Sequence, residues 1–207
     1  MYPFDAKFQE KVAELRAAGV DPYPTAAALE VSHLSTELHA LFVGVENPVG
    51  DPRGAGVRVG GRLLFRNRMG KLLFLRLQDR GEPSVPELDA QGAPVLDDSG
   101  EPIMRGGLIQ VMVQRDIVGE DAFELLKKLD IGDFVWARGD VVRTKTGELT
   151  VQATQARLAA KIVAPFPDRF HQLTDPETRF RQRYVDLFIN DQVRQTFRTR
   201  SKVIRSV

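Results

Sequence analysis

Between residues 57 and 160 the chain alternates apolar and polar side chains with a period of two, in five short runs broken once by a helical one. That pattern constrains the fold more than anything else here, because a strand sends successive side chains to opposite faces. Val57, Val59, Leu63 and Phe65 alternate with Arg58, Arg62, Leu64 and Arg66. A turn is expected at Asn67–Gly70, after which Leu73, Leu75 and Leu77 alternate with Leu72, Phe74, Arg76 and Gln78. Ile109, Val111 and Val113 alternate with Leu108, Gln110 and Met112. A helix over Gly119–Leu129 follows, with Phe123, Leu125, Leu126 and Leu129 inward, then strands at Phe134–Arg143 and Glu148–Thr154 around a tight Thr144–Gly147 turn. Three strands, a helix and two strands is the order of a five-stranded OB barrel. The fold class is therefore mainly β with flanking helices (α+β).

The segments around this domain, 57–160, read differently. Residues 1–56 form a helical extension. Phe4, Phe8, Val12 and Leu15 recur at helical spacing, Asp5 can cap the start, and Gly19 and Pro22 stop it. A short helix is expected near Ser35–Phe42. Inside the barrel domain, 82–107 carries four prolines, six acidic residues and Arg105 as its one basic residue, which predicts an exposed loop with a small hairpin. Residues 161–207 open with a linker at Ala164-Pro-Phe-Pro-Asp. Asp175 and Pro176 then start a helix running to about Phe188. Asn190 or Asp191 caps another that bears Val193, Phe197, Ile204 and Val207 on one stripe. This helix meets no stop signal, so the chain is expected to be a fragment of something longer.

Composition removes several chemistries. Cysteine is absent, excluding disulfides, thiol nucleophiles and cysteine zinc sites, and the three histidines (His33, His39, His171) are scattered. His171, just after the linker, reads as a structural hydrogen-bonder rather than a catalyst. No signal peptide or membrane-length apolar run occurs, so a soluble cytoplasmic protein is expected. The formal net charge of +1 argues against a strongly basic clamp, yet Val57–Gln78 holds six basic residues and no acidic one. If the leucines, isoleucine and valines fill the barrel, then Phe74, Arg76, Gln110, Glu148, Thr150 and Gln152 point outward, joined by Arg62 and Arg66. An exposed ring can stack a base, amides and a carboxylate can read base edges, and arginines can meet phosphate. Glu148 would repel phosphate but can accept a hydrogen bond from a base imino group. Singly, each of these is as readily an ordinary solvated or packed strand residue, and only their convergence favours base binding.

GRLLFRNRMGKLLFLRLQD (Gly61–Asp79), KTGEL (Lys145–Leu149), AELRAAGVDPYP (Ala13–Pro24) and FPDRFHQLTDPETRFRQRYVDLFIND (Phe166–Asp191) resemble the bacterial class II lysyl-tRNA synthetases. The resemblance covers nearly everything except 82–107, where the family usually has a short turn. It implies an N-terminal anticodon-binding barrel followed by the first helices of a truncated class II catalytic domain. It implies that Phe74 is the stacking aromatic, Gln110 the amide for the middle anticodon base, Glu148 the carboxylate of the fifth strand and Arg66 the basic residue late in the first. The anticodon loop of tRNA(Lys) is the implied partner. Lysine activation with ATP and Mg2+ and homodimer formation are implied for a full-length enzyme and not expected of this chain: the second and third signature motifs would lie beyond Val207, and the helix over about Asp191–Val207 resembles only the start of the first motif, which builds the dimer interface. No catalytic, cofactor or metal residue is therefore expected in it. Alternatives are a freestanding OB module for single-stranded nucleic acid, a synthetase of the aspartyl or asparaginyl branch, and a barrel used for protein docking. The acidic loop is expected to weaken tRNA binding where its carboxylates approach the RNA.

Overall fold

A computed structural model describes residues 5–83, 85–89, 92–97, 99–165 and 175–206. They fall into two compact units, Ala6–Val163 and a second comprising the described residues from Ala164 onward with Asp5. In chain order the first unit contains α1 (Ala6–Ala17), α2 (Ser35–Leu41), β1 (Val57–Met69), β2 (Leu72–Gln78), β3 (Val85–Pro86), β4 (Met104–Arg105), β5 (Leu108–Gln114), α3 (Arg115–Val118), α4 (Glu120–Lys127), β6 (Phe134–Arg143) and β7 (Leu149–Ala160).

The long strands close into a barrel in the order β1-β2-β5-β7-β6, with β6 returning to β1. Neighbours are antiparallel except β5 and β7, which run parallel because α3, α4 and β6 intervene. Closure leaves no strand edge unpaired around the barrel. The interior is the alternating set expected: Val57, Val59, Leu63, Leu73, Leu75, Leu77, Ile109, Val111, Val113, Leu149, Val151 and Ala153 are all buried. Phe123, Leu126 and Leu129, on and just after α4, join the same core. Leu125 is only half-buried. Gly119 parts α3 from α4 at φ 89°, a left-handed conformation that costs glycine little. Gly139 sits at a register shift in β6, where a Cβ would lie 1.9 Å from the Gln152 carbonyl oxygen.

Two strands differ from the alternation reading. β1 continues through Asn67 to Met69, so the turn is tighter than Asn67–Gly70. β7 extends to Ala160, and Glu148 precedes it rather than lying within it. A β-bulge also interrupts β1: Leu63 faces Leu77 and Phe65 faces Arg76, leaving Leu64 as the extra residue. Leu63 exchanges backbone hydrogen bonds of 2.7 Å with Gly132 and Asp133 there. Strict alternation would expose Leu64 and bury Phe65. The bulge instead buries Leu63 and Leu64 together and turns Phe65 out to 56% exposure.

The insertion does contain a hairpin, β3 against β4, prolonged by bridges Leu88–Pro94 and Leu96–Pro102. Its base is tied to α2: Thr36 Oγ1 donates to the Glu82 carbonyl at 2.7 Å, and Asp79 accepts from the Ser35 N–H (2.5 Å) and hydroxyl (2.8 Å).

In the second unit the first expected helix is two, α5 (Pro176–Arg181) and α6 (Arg183–Ile189), parted at Gln182. Asp186 is buried there and accepts from Arg179 (3.1 Å) and Arg183. Next comes α7 (Asp191–Arg205), capped by the Asn190 side chain, which accepts from the Val193 N–H at 3.3 Å. Val193 and Phe197 are half-buried and Ile204 is exposed. Phe4, most of the linker, His171 and Val207 lie outside the described residues.

Candidate nucleic-acid interface

Strand pairing arranges the outer face in rows, since directly paired residues share a face. One row runs Phe65, Arg76, Gln110, Thr150 across β1, β2, β5 and β7; the next runs Asn67, Phe74, Met112, Gln152. Phe74, Arg76 and Gln110 are thus brought together, as alternation anticipates. Phe74 is half-buried and Arg76 exposed. Gln110 is held in place: its Nε2 donates to Thr150 Oγ1 at 2.9 Å, and that hydroxyl donates to the Glu148 carbonyl at 3.0 Å. Thr150 itself is fully buried, so it is a positioning group and not the solvated one expected.

Glu148 sits half-buried at the rim of the face, at the foot of the turn between β6 and β7, where its N–H donates to Thr144 Oγ1 at 3.2 Å. It lines a cavity of about 660 Å³ together with His39, Arg105, Lys145, Glu87 and Asp89. The acidic insertion therefore does form one wall beside Glu148. Glu87 is paired with Arg105 at 2.5 Å. Burial lowers the pKa of His39 below its ordinary value, against the raising effect of the Leu108 carbonyl and of Glu148.

Two arginines have other roles. Arg66 does not share the outer face with Arg62, because the bulge reverses its phase and pairs it with Leu75. Its guanidinium donates to the Lys127 carbonyl (2.5 Å) and to the Leu129 carbonyl, satisfying acceptors at the C-terminal end of α4. Arg62 lies opposite Gln78 but is half-buried, with its guanidinium 4.2 Å from the centroid of the Phe134 ring. Burial lowers its pKa. Conversely, alternation missed Phe65 and Asn67. The available signal was the triplet Leu63-Leu64-Phe65: three consecutive large apolar residues cannot all be accommodated by period two.

Among the described residues no cluster of histidine and acidic side chains is placed to hold a metal, and no helix is long and apolar enough to cross a membrane.

The architecture corresponds to a known family model, an OB-fold nucleic acid binding domain of the tRNA anticodon type, matched over residues 104–159. The class that the closed barrel and this match define is an OB-fold domain. Similarity extends further along the chain in individual relatives. It is 40% identical over 200 residues to the lysine–tRNA ligase of Pectobacterium carotovorum, covering 96% of this chain and 34% of that protein. The lysine–tRNA ligase of Methylobacillus flagellatus is 35% identical over 202 residues (98% and 34%), and that of Cronobacter sakazakii 39% over 200 (96% and 34%). The chain is thus similar to these lysine–tRNA ligases along nearly its whole length, and it spans about a third of the length of these relatives.

Proposed function

We propose that the outer face formed by β1, β2, β5 and β7 grips the anticodon loop of tRNA(Lys) and so selects the tRNA for lysine charging. The observation that carries this reading is the row structure, which sets a stacking ring (Phe74), a guanidinium (Arg76) and an oriented amide (Gln110) within one patch. Phe74 holds a splayed-out base, Arg76 meets the backbone, and Gln110 reads a base edge. Glu148, at the rim, accepts a hydrogen bond from a base imino or amino group. The whole reaction would join lysine to tRNA with ATP and Mg2+ in a cytoplasmic, homodimeric enzyme about three times this length. The part of it that falls to the residues on this face is recognition.

The test is binding of the chain to an RNA stem-loop carrying a lysine anticodon. Phe74→Ala should weaken it by about 1–3 kcal/mol, Gln110→Ala by less, and Glu148→Ala should chiefly relax base choice. Equal wild-type affinity for a stem-loop with an unrelated anticodon would refute the assignment.

A further inference from the structure

The bulge in β1 delivers to the outer face an aromatic ring that no motif marks. We propose that Phe65 is a second base-stacking position, which takes the nucleobase next to the one on Phe74. This rests on the reading of the face as the anticodon-binding surface.

A single exposed apolar side chain needs no explanation in general. Phe65 is distinguished by its neighbours. It pairs directly with Arg76, and Asn67 pairs with Phe74, which makes Phe65 and Phe74 diagonal partners across β1 and β2. Diagonal positions on one face lie about 7–8 Å apart, within reach of two aromatic rings. Nucleotides of one strand in a duplex advance only about 3.4 Å, so bases on both rings have left their mutual stack. That is the state in which loop nucleotides expose their Watson–Crick edges. Arg76 follows Phe74 by two residues on β2 and faces Phe65, so its guanidinium stands where the phosphate joining two such bases would pass. Beyond Arg76 the same row ends in Gln110, already oriented by Thr150. The platform therefore takes two consecutive unstacked nucleotides, with hydrogen-bonding groups on one side.

The strand geometry explains why the position depends on the bulge. Without the bulge, with Leu64 paired in register, Phe65 would point into the barrel and Arg66 out of it. With it, Arg66 becomes a cap for α4 and Phe65 a surface ring. The bulge thus puts an aromatic where strict alternation would put a cation on that face.

The experiment compares the 207-residue chain with Phe65→Ala, Phe65→Leu, Phe65→Tyr and Phe74→Ala variants. Kd is measured for a lysine-anticodon stem-loop, and fluorescence for loops carrying 2-aminopurine at each anticodon position in turn. Phe65→Ala and Phe65→Leu should each weaken binding roughly 5- to 30-fold, and Phe65→Tyr should restore it. The Phe65 variants should change 2-aminopurine emission at the position adjoining the one that responds to Phe74→Ala. If Phe74→Ala weakens binding while both ring-removing changes at Phe65 stay within about twofold of wild type, the proposal fails and the anticodon reading stands. Indifference to all four substitutions would defeat the anticodon reading itself. Equal binding by Phe65→Leu and wild type alongside a loss in Phe65→Ala would make the site a hydrophobic contact and overturn stacking.

Discussion

Lys161 and Arg76 are both cations of the barrel unit, and their surroundings could hardly differ more. Lys161 is buried where β6 begins, within 2.6 Å of Asp130 and 2.9 Å of Asp133, and Lys11 of α1 reaches Asp130 at 2.6 Å. Asp133 also accepts the Asp130 and Ile162 N–H groups at 2.8 and 2.9 Å. Burial alone would raise the Asp130 carboxyl, and the hydrogen bonds from Lys11 and Lys161 more than offset it, so its pKa lies below the ordinary carboxylate value. Arg76, by contrast, is exposed on the outer face between Phe65 and Gln110. Charge at one end of the barrel is spent on holding the chain together, and on the sheet face it is left for a ligand. Basic content in a sequence does not separate these two uses; the partners of each group do.

The comparison predicts that stability and RNA binding can be altered independently. The largest effect belongs to Asp133→Ala, which leaves Lys161 with Asp130 as its remaining carboxylate and strips the Asp130 and Ile162 N–H groups of their acceptor; it should cost about 3–5 kcal/mol of stability. Chemical denaturation should register that loss, and any fraction that stays folded should bind the stem-loop with unchanged Kd. Loss of affinity in the folded fraction would join the two regions that the comparison separates. Arg66→Met comes next. Removing its hydrogen bonds to the end of α4 should lower the unfolding free energy by about 1.5–3 kcal/mol, with stem-loop affinity altered by no more than about twofold. A pronounced binding defect in a stably folded Arg66→Met protein would return Arg66 to the RNA surface. Smallest is Thr150→Val, which removes the hydroxyl that orients Gln110. It should reduce discrimination at the base read by Gln110 by about 1 kcal/mol, seen as a narrower gap between cognate and singly substituted loops.

The pH dependence of stability has a definite sign. Because the Asp130 carboxyl is depressed in the folded state, its contribution is present above the unfolded carboxylate pKa and disappears as pH falls through the folded value. His39, whose pKa burial lowers in the folded state, adds to the same trend as pH falls through its ordinary value, since the unfolded chain takes up the proton more readily.

Alternation was enough to place the interior of the barrel. Leu73, Leu75, Leu77, Ile109, Val111 and Val113 are inward as read, and with them Phe74, Arg76 and Gln110 are outward, because period two leaves a strand only one choice once its core face is known. The hairpin in the insertion and the cap at Asn190 were also legible, from turn chemistry and from a side chain able to accept an N–H. The limits of that reading are equally physical. Alternation assumes an unbroken register, and the bulge at Leu64 breaks it, which is why Phe65 and Arg66 exchanged faces. The sequence places Thr150 among the outward residues but does not show that β5 and β7 run parallel and bring its hydroxyl to Gln110. Nor does it show that the acidic hairpin folds back to wall the cavity around Glu148. Local pattern by itself determined which residues make the barrel. Only its closure, which aligns strands far apart in the chain, decided which of the outward residues stand together and which cations lie exposed on that face.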